Sequence, residues 1–563
     1  MADRTGREPH ADLPALRERL DAYISAFAGG KEKNRVNTAR AAVLQSCQEA
    51  ALLDPGFFSL TVPTGGGKTL SGMSFALNHA ARYGMRRVIC VIPYTSIIEQ
   101  NASVYREALG DENVLEHHCS FDPEKKGAED IKSRSFSGET LTLFEKAAEN
   151  WDFPVIVTTT VQFFESLFAN GAGHCRKLHN IARSVVILDE AQSLPPEFLG
   201  TILDGMRELT EHYGCSIVIS TATQPALETR QNFHGLDNVR PIIAEPRELF
   251  RGLKRVCYHW PKKGERLSDW GELAQDALRH KRVLLITHKR KDARALTREL
   301  KSRDPASPLF HLSAQMCPAH RFDTLGKINA ALKLKNRNSA LPCRVVSTQL
   351  VEAGVDLDFD AVYRALGGLD SIVQAAGRCN REGCEELGHV YIYRCFTEPP
   401  VGTPRVGRDA CETMLAAAES EGKELDLEDP QIFNAYFRTF YPSNPPDPIP
   451  AARECFHYEE VDRRFNIIDE EGRKSVVVPY GNAAEVVAEI KKNGWTKALR
   501  RGLQQFTVQI SERDFDNIFK TLEEISEGIY MLRHLYRNSY DPLFGLLPPD
   551  EMKANIEDCI IGP

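Results

Sequence analysis

The chain has 563 residues, 42% hydrophobic and 26% charged, the balance of a folded globular protein rather than a disordered or fibrous one. At roughly 100–200 residues per domain, this length asks for about three domains. The formal net charge of −8 excludes a uniformly basic coat for nucleic acid, but a local basic groove on an acidic body remains open.

The 14 cysteines contain no CxxC pair, which predicts free thiols in a reducing compartment rather than a disulfide framework or a zinc finger. No apolar run approaches the ~20 residues of a membrane span. Met1-Ala2-Asp3-Arg4-Thr5 is polar and lacks a signal-peptide core. The expected location is the cytoplasm, with no membrane partner.

Along the chain, a helical pattern runs over residues 13–28, with Asp12 as its cap, Pro14 in the first turn and Gly29-Gly30 as its stop. Short apolar runs then alternate with longer helical stretches, at residues 58–62, 88–92, 155–157, 185–188 and 217–219. Runs rich in β-branched residues that do not alternate with polar ones read as buried parallel strands. The pattern restarts at residues 283–286, 345–346, 361–363 and 390–393. Strand–helix alternation predicts doubly wound α/β sheets. The expected partition is a linker and helix at 1–30, a first α/β domain at 31–245, a second α/β domain at 246–405, a helical linker at 406–450 and a mixed accessory domain at 451–563. Residues 244–251, with Pro246, read as a hinge, and the proline-rich residues 441–450 as a stiff linker. The charged residues 122–137 read as a surface insertion.

Pro63-Thr64-Gly65-Gly66-Gly67-Lys68-Thr69 sits between the first strand and a helix. Glycines let backbone N–H groups curl around phosphates, and a helix N-terminus adds a favourable dipole. Lys68 is placed to reach the β- and γ-phosphates of ATP, and the Thr69 hydroxyl to ligate Mg²⁺. Val62 stands where the motif usually starts with Gly or Ala. The loop alone fits a kinase, a GTPase or a transporter ATPase. Asp189-Glu190-Ala191-Gln192, behind the run 185–188, narrows the choice. Asp189 fits the second Mg²⁺ contact, and Glu190 the base that orients the attacking water. In the second domain, Gln374-Ala375-Ala376-Gly377-Arg378-Cys379-Asn380-Arg381 places Arg378 and Arg381 one helical turn apart, on one face. Such arginines neutralise charge developing on a γ-phosphate.

Together with Ser220-Thr221-Ala222-Thr223, these strings resemble motifs I, II, III and VI of superfamily two helicases. More specific strings are residues 92–101, opening Ile92-Pro93-Tyr94-Thr95-Ser96, residues 158–167, opening Thr158-Thr159-Thr160-Val161-Gln162-Phe163, then Ser313-Ala314-Gln315-Met316-Cys317-Pro318-Ala319-His320-Arg321 and Ser347-Thr348-Gln349-Leu350-Val351-Glu352-Ala353-Gly354-Val355-Asp356. They resemble the CRISPR-associated helicase of type I interference systems. The C-terminal Asp462-Arg463-Arg464-Phe465 and Val478-Pro479-Tyr480 look most like its subtype I-C form. The resemblance implies two tandem RecA-like domains with ATP and Mg²⁺ between them, plus the C-terminal accessory domain. It implies an ATPase that moves 3′ to 5′ on single-stranded DNA beside an RNA-guided surveillance complex (Cascade). Thr95, Ser96, Thr159, Gln162, Ser313 and Thr348 fall in its DNA-backbone motifs, whose hydroxyl and amide groups suit contacts without sequence information. Ser220 and Thr223 fall in the coupling motif, Gly354 and Asp356 in one that lines the nucleotide cleft, and Gln374 with Arg378 and Arg381 in the catalytic one. Gln192 stands where many relatives carry Asp or His. Gln45 occupies a place where an adenine reader could sit, but its spacing also reads as a helix surface.

Full-length members of that family begin with a metal-dependent nuclease domain marked by a His-Asp dipeptide. None of the 16 histidines here precedes an aspartate, so the expectation is an HD nuclease on a separate or removed segment. Two other readings stand beside this one: an RNA-remodelling helicase of the same superfamily, and a module in which ATP only clamps the chain onto a guide-RNA complex.

Overall fold

The computed structural model describes residues 10–29, 35–117, 149–333, 342–352, 354–383, 386–441, 447, 449–467, 472–526 and 528–555. The insertion expected at 122–137 lies outside them. Two compact units emerge, one of residues 1–254 and 412–469, the other of 255–411 and 470–563.

In the first unit, seven strands follow chain order as β1 (Phe57–Thr61), β2 (Arg87–Ile92), β3 (Val114–His117), β4 (Val155–Thr159), β5 (Ser184–Asp189), β6 (Ser216–Thr221) and β7 (Arg240–Pro241). They make one sheet in the order β3-β4-β2-β5-β6-β1-β7, with every pair parallel. β2, β4 and β6 are buried at every position, as continuous apolar runs between two helical layers must be. Helices Leu13–Gly29, Lys68–Tyr83 and Thr95–Leu109 close over one core through Leu16, Phe75 and Ile98. Asp12 caps the first of them, accepting from the Ala15 N–H at 2.8 Å.

The second unit repeats the plan. β8 (Val256–His259), β9 (Arg282–Ile286), β10 (Leu309–Leu312), β11 (Cys343–Ser347), β12 (Ala361–Ala365) and β13 (Gly388–Tyr393) form a parallel sheet in the order β10-β11-β9-β12-β13-β8. Its C-terminal part carries a mixed sheet of β14 (Arg473–Val477), β15 (Thr507–Ser511), β16 (Leu522–Ser526) and β17 (Ile529–Leu532), in the order β15-β14-β17-β16. The fold is therefore α/β, with two RecA-like parallel sheets and a mixed C-terminal sheet.

The linear partition differs from these units in three places. Residues 244–251, read as a hinge, include the start of a helix: Pro246 opens Pro246–Gly252, where its missing N–H costs nothing, and the first unit runs on to residue 254. Residues 412–469 join the first unit because their aromatic side chains bury there. Phe465 packs 4.4 Å from Phe168 and 5.0 Å from Phe198, ring centre to ring centre. The described ends of the proline-rich stretch are anchored rather than free: Tyr441 and Ile449 are buried, and Asp447 accepts from the Thr201 N–H at 2.7 Å.

Candidate nucleotide site and strand-facing residues

The C-terminal ends of β1, β5 and β6 bring the phosphate loop, the acidic pair and the Ser220–Thr223 turn together in the first unit. Gly65 and Gly67 adopt φ +81° and +91°, a region where a Cβ is strained. Gly66 is fixed for a different reason: a Cβ there would sit 2.5 Å from Val62 Cγ1. The unusual Val62 is thus accommodated by the bare glycine it leans on. Gly67 caps the helix Lys68–Tyr83, and Arg40 donates from Nε to the Gly65 carbonyl at 3.0 Å, bracing the loop from outside.

Lys68 Nζ lies 3.1 Å from Glu190 Oε1. Burial works to lower the Lys68 pKa, but Glu190 and Asp189 outweigh it and hold the ammonium charged beyond its ordinary range. Burial pushes the Asp189 carboxyl up to about 6, against the opposing pull of Lys68 and of the Ser220 hydroxyl. Ser220 Oγ donates to Asp189 Oδ1 at 3.1 Å. Glu190 stands at φ +50°, a left-handed conformation that costs a non-glycine residue on the order of 1 kcal/mol.

From Glu190 a chain of hydrogen bonds runs into the Ser220–Thr223 turn. Gln192 Nε2 donates to Glu190 Oε2, Thr221 Oγ1 donates to Gln192 Oε1, and the Thr223 N–H donates to Thr221 Oγ1 at 3.0 Å. Gln192 thus bridges the two, donating to Glu190 and accepting from Thr221. The motif expects coupling at Ser220 and Thr223, and Thr221 between them joins the same chain of hydrogen bonds. The Thr223 hydroxyl itself is buried without a partner. Arg40 gave no signal beyond its place in the helix before the loop.

Lys68, Thr69, Asp189 and Ser220 line one pocket with Asn101 and Tyr105. Its hard oxygen donors, the Thr69 hydroxyl and the Asp189 carboxylate, suit Mg²⁺, which takes few protein ligands and completes its shell with water and phosphate. Among the described residues no group of three or more His, Cys, Asp or Glu is gathered for a metal.

In the second unit, Gln374 lies in the helix Leu369–Ala376, but Arg378 and Arg381 do not share a helical face. The helix stops at Ala376 with Gly377 as its cap, and Asn380 turns to φ +47°. Arg378 is buried and donates from Nη2 to the Glu352 carbonyl at 2.9 Å. Arg381 Nε pairs with Asp356 at 2.7 Å, and its N–H donates to Asp358. Gly354, at φ +77°, precedes that aspartate. Glu352 is held by a fully buried Arg364, 2.7 Å away, and by the Ser371 hydroxyl.

The strand-facing candidates are less uniform. The side chains of Thr95 and Ser96 lie outside the described residues. Thr159 Oγ1 accepts from the Gln162 N–H at 2.9 Å, capping the helix Thr160–Phe168, and Gln162 Nε2 donates to Ser166 at 3.3 Å. Ser313 is buried and accepts from the Gln315 N–H. Thr348 follows β11, its N–H on the Leu312 carbonyl. Gln45 is exposed and bonds Glu49, as a helix-surface residue does.

Two family matches fall on these units. Residues 42–231 match the DEAD/DEAH box helicases, and residues 279–384 match the C-terminal part of the CRISPR-associated nuclease/helicase Cas3. The core of the chain is thus similar to DEAD/DEAH box helicases in its first unit and to the C-terminal part of Cas3 in its second. It is similar to the CRISPR-associated nuclease/helicase Cas3 of Haloferax volcanii, 27% identical over 424 residues that cover 58% of this chain and 45% of that protein. It is also similar to a putative Cas3 of Methanocaldococcus jannaschii, 23% identical over 444 residues, 74% of this chain and 57% of the relative. The chain thus spans about half the length of the curated relatives it matches. Among solved structures, the crystal structure of T. fusca Cas3 superposes with a TM-score of 0.61 at 14% identity, covering 93% of this chain and 69% of that one. Its AMPPNP complex gives the same TM-score, 0.61, at 13% identity, covering 96% and 68%. At such identity the likeness concerns the Cas3 fold alone.

Proposed function

We propose that this Cas3-like core is an ATP-dependent translocase and helicase on single-stranded DNA, moving 3′ to 5′ in type I CRISPR interference. The observation that carries this is the unbroken hydrogen-bonded path from Lys68 through Glu190, Gln192 and Thr221 to the Thr223 backbone. A binding module needs a phosphate cradle but not this path, which ties the hydrolytic carboxylate to Thr221 and Thr223, beyond the residues that line the pocket.

In this reading Lys68 leaves Glu190 for the β- and γ-phosphates of ATP. Glu190 then orients the attacking water and takes up its proton. Thr69 and Asp189 hold Mg²⁺, which supplies charge neutralisation on the phosphates when bound. Arg378 and Arg381 stabilise the charge that develops on the γ-phosphate, Gln374 assists them, and Gly354 and Asp356 border the nucleotide. When Lys68 withdraws from Glu190, the load on Gln192 changes, and Thr221 passes the change to the turn at Ser220 and Thr223. Thr95, Ser96, Thr159, Gln162, Ser313 and Thr348 contact the strand backbone. The surveillance complex (Cascade) recruits the motor, and an HD nuclease domain or subunit cuts the strand it delivers.

The test is steady-state ATP turnover with single-stranded DNA, with RNA of the same sequence, or with neither. Stimulation by DNA that disappears in Lys68→Ala supports the proposal. Stronger stimulation by RNA assigns an RNA-remodelling helicase, and nucleotide binding without turnover under all three conditions leaves only a clamp.

A further inference from the structure

The C-terminal part of the second unit carries a charge pattern that nucleotide chemistry does not use. Helices Ala483–Asn493 and Lys497–Gln504 form a hairpin that turns at Gly494, φ +77°. Val487, Ile490, Leu503 and Phe506 pack its inner side. Trp495 closes the turn, donating from Nε1 to Ser526 Oγ at 2.9 Å. The hairpin is a braced platform.

Between residues 490 and 511 the sequence holds Lys491, Lys492, Lys497, Arg500 and Arg501 and no Asp or Glu, in a chain of net charge −8. Lys491, Lys492 and Arg500 are exposed. Lys491 shares Glu523 at 3.4 Å, whereas Lys492 and Arg500 have no ion pair among the described residues. The hairpin's own acids, Glu485 and Glu489, lie upstream on the first helix.

Helix stability explains half of this pattern. Lys491 and Lys492 occupy a last turn, where cations suit the helix dipole. The second helix, Lys497–Gln504, has no acid in its first turn. Gly502 lies inside the same helix, where alanine would be the better helix former, yet a Cβ on it would meet nothing within 4 Å. Packing therefore does not require the glycine. Cations beside a bare stretch of exposed helix suit the close approach of a phosphate backbone.

The aromatic groups narrow the partner. Single-strand binders add open rings on which bases stack. Here the Arg500 guanidinium stands over the Trp495 ring at 5.7 Å, the indole N–H is engaged, and Phe506 is buried. Contact with phosphates alone does not need unpaired bases. We propose that this hairpin is a docking surface for the phosphate backbone of duplex DNA, distinct from the residues that grip the translocated strand. The proposal stands on charge, exposure and ring accessibility and does not require the hydrolysis reading.

The experiment uses the full chain and a fluorescent 30-base-pair duplex, with anisotropy measured across a salt series. Lys492→Gln combined with Arg500→Gln is expected to weaken duplex binding about tenfold at low salt. It is also expected to flatten the log–log salt dependence by about two, one for each cation that no longer neutralises a phosphate. The charge-keeping pair Lys492→Arg and Arg500→Lys should bind as the parent does. Should the double variant melt early, Lys492→Gln alone carries the test, with a slope change of about one. Unchanged affinity and slope in a folded neutral variant would overturn the proposal. So would an equal loss of single-strand binding, which would place the hairpin on the motor's own track, or tighter binding of duplex RNA than of duplex DNA.

Discussion

The Lys68 ammonium lies 3.1 Å from the Glu190 carboxylate, so the two groups that the proposed hydrolysis needs most neutralise each other. The cation that must meet a phosphate holds the carboxylate that must orient water, and the same carboxylate accepts a bond from Gln192. Nucleotide entry and the relay to the Ser220–Thr223 turn therefore act on one side chain.

Removing either partner should separate binding from chemistry. Lys68→Ala should weaken ATP binding and abolish turnover, because the phosphates lose their cation. Glu190→Gln should keep ATP binding and lower kcat by about 10²–10⁴, the usual range for losing a general base. Titration with a fluorescent nucleotide, run beside steady-state turnover, distinguishes the two.

Cutting the relay should uncouple rather than inactivate. Thr221→Val removes the hydroxyl that bonds Gln192 and also accepts from the Thr223 N–H. Basal hydrolysis should persist, while stimulation by DNA falls roughly fivefold, equivalent to about 1 kcal/mol of coupling. The ratio of stimulated to basal rate is the measurement, and Gln192→Ala should give the same phenotype.

The second unit should depend on its buried ion pair. Arg364→Leu leaves the Glu352 carboxylate enclosed without its cation, a change that costs on the order of 3–5 kcal/mol. Chemical denaturation followed by fluorescence should show that loss. Because Arg378 bonds the Glu352 backbone carbonyl, which any side chain at 352 keeps, Arg378→Gln is the variant that should lower kcat more than it changes ATP affinity.

Much of the fold is legible in the sequence. Continuous apolar runs mark β2, β4, β5 and β9 because strands buried on both faces cannot alternate. The loop at Gly65–Lys68 and the pair Asp189-Glu190 are legible because phosphate and metal chemistry tolerate few residue types. β3, β8 and β10 escape such a reading, since each is only four residues long and includes a histidine or glutamate. The spacing of Arg378 and Arg381 suggests a shared helical face, but Gly377 ends the helix first and Asn380 turns the chain. The return of residues 412–469 to the first unit rests on long-range aromatic packing such as Phe465 on Phe168, which no local pattern encodes.

Acid should destabilise the second unit. Burial, above all, drops His288 to about 3, and His311 also to about 3, each reinforced by a neighbouring arginine. Each keeps a buried ring nitrogen without a partner. In the unfolded chain both titrate near 6.5, so between pH 6.5 and 3 the unfolded state binds more protons. Their contribution is complete above pH 6.5 and is lost as the pH falls, by up to about 1.4 kcal/mol per pH unit for each histidine. Denaturant melts at pH 7.5, 6 and 5 should show the decline, and His288→Gln should flatten it.

The most direct test of the motor itself is strand displacement from a DNA duplex bearing either a 3′ or a 5′ single-stranded tail. The account predicts that ATP opens the 3′-tailed duplex, that a non-hydrolysable analogue does not, and that Glu190→Gln opens neither. Hydrolysis stimulated by DNA with no displacement of either duplex, or displacement that persists in Glu190→Gln, would contradict it.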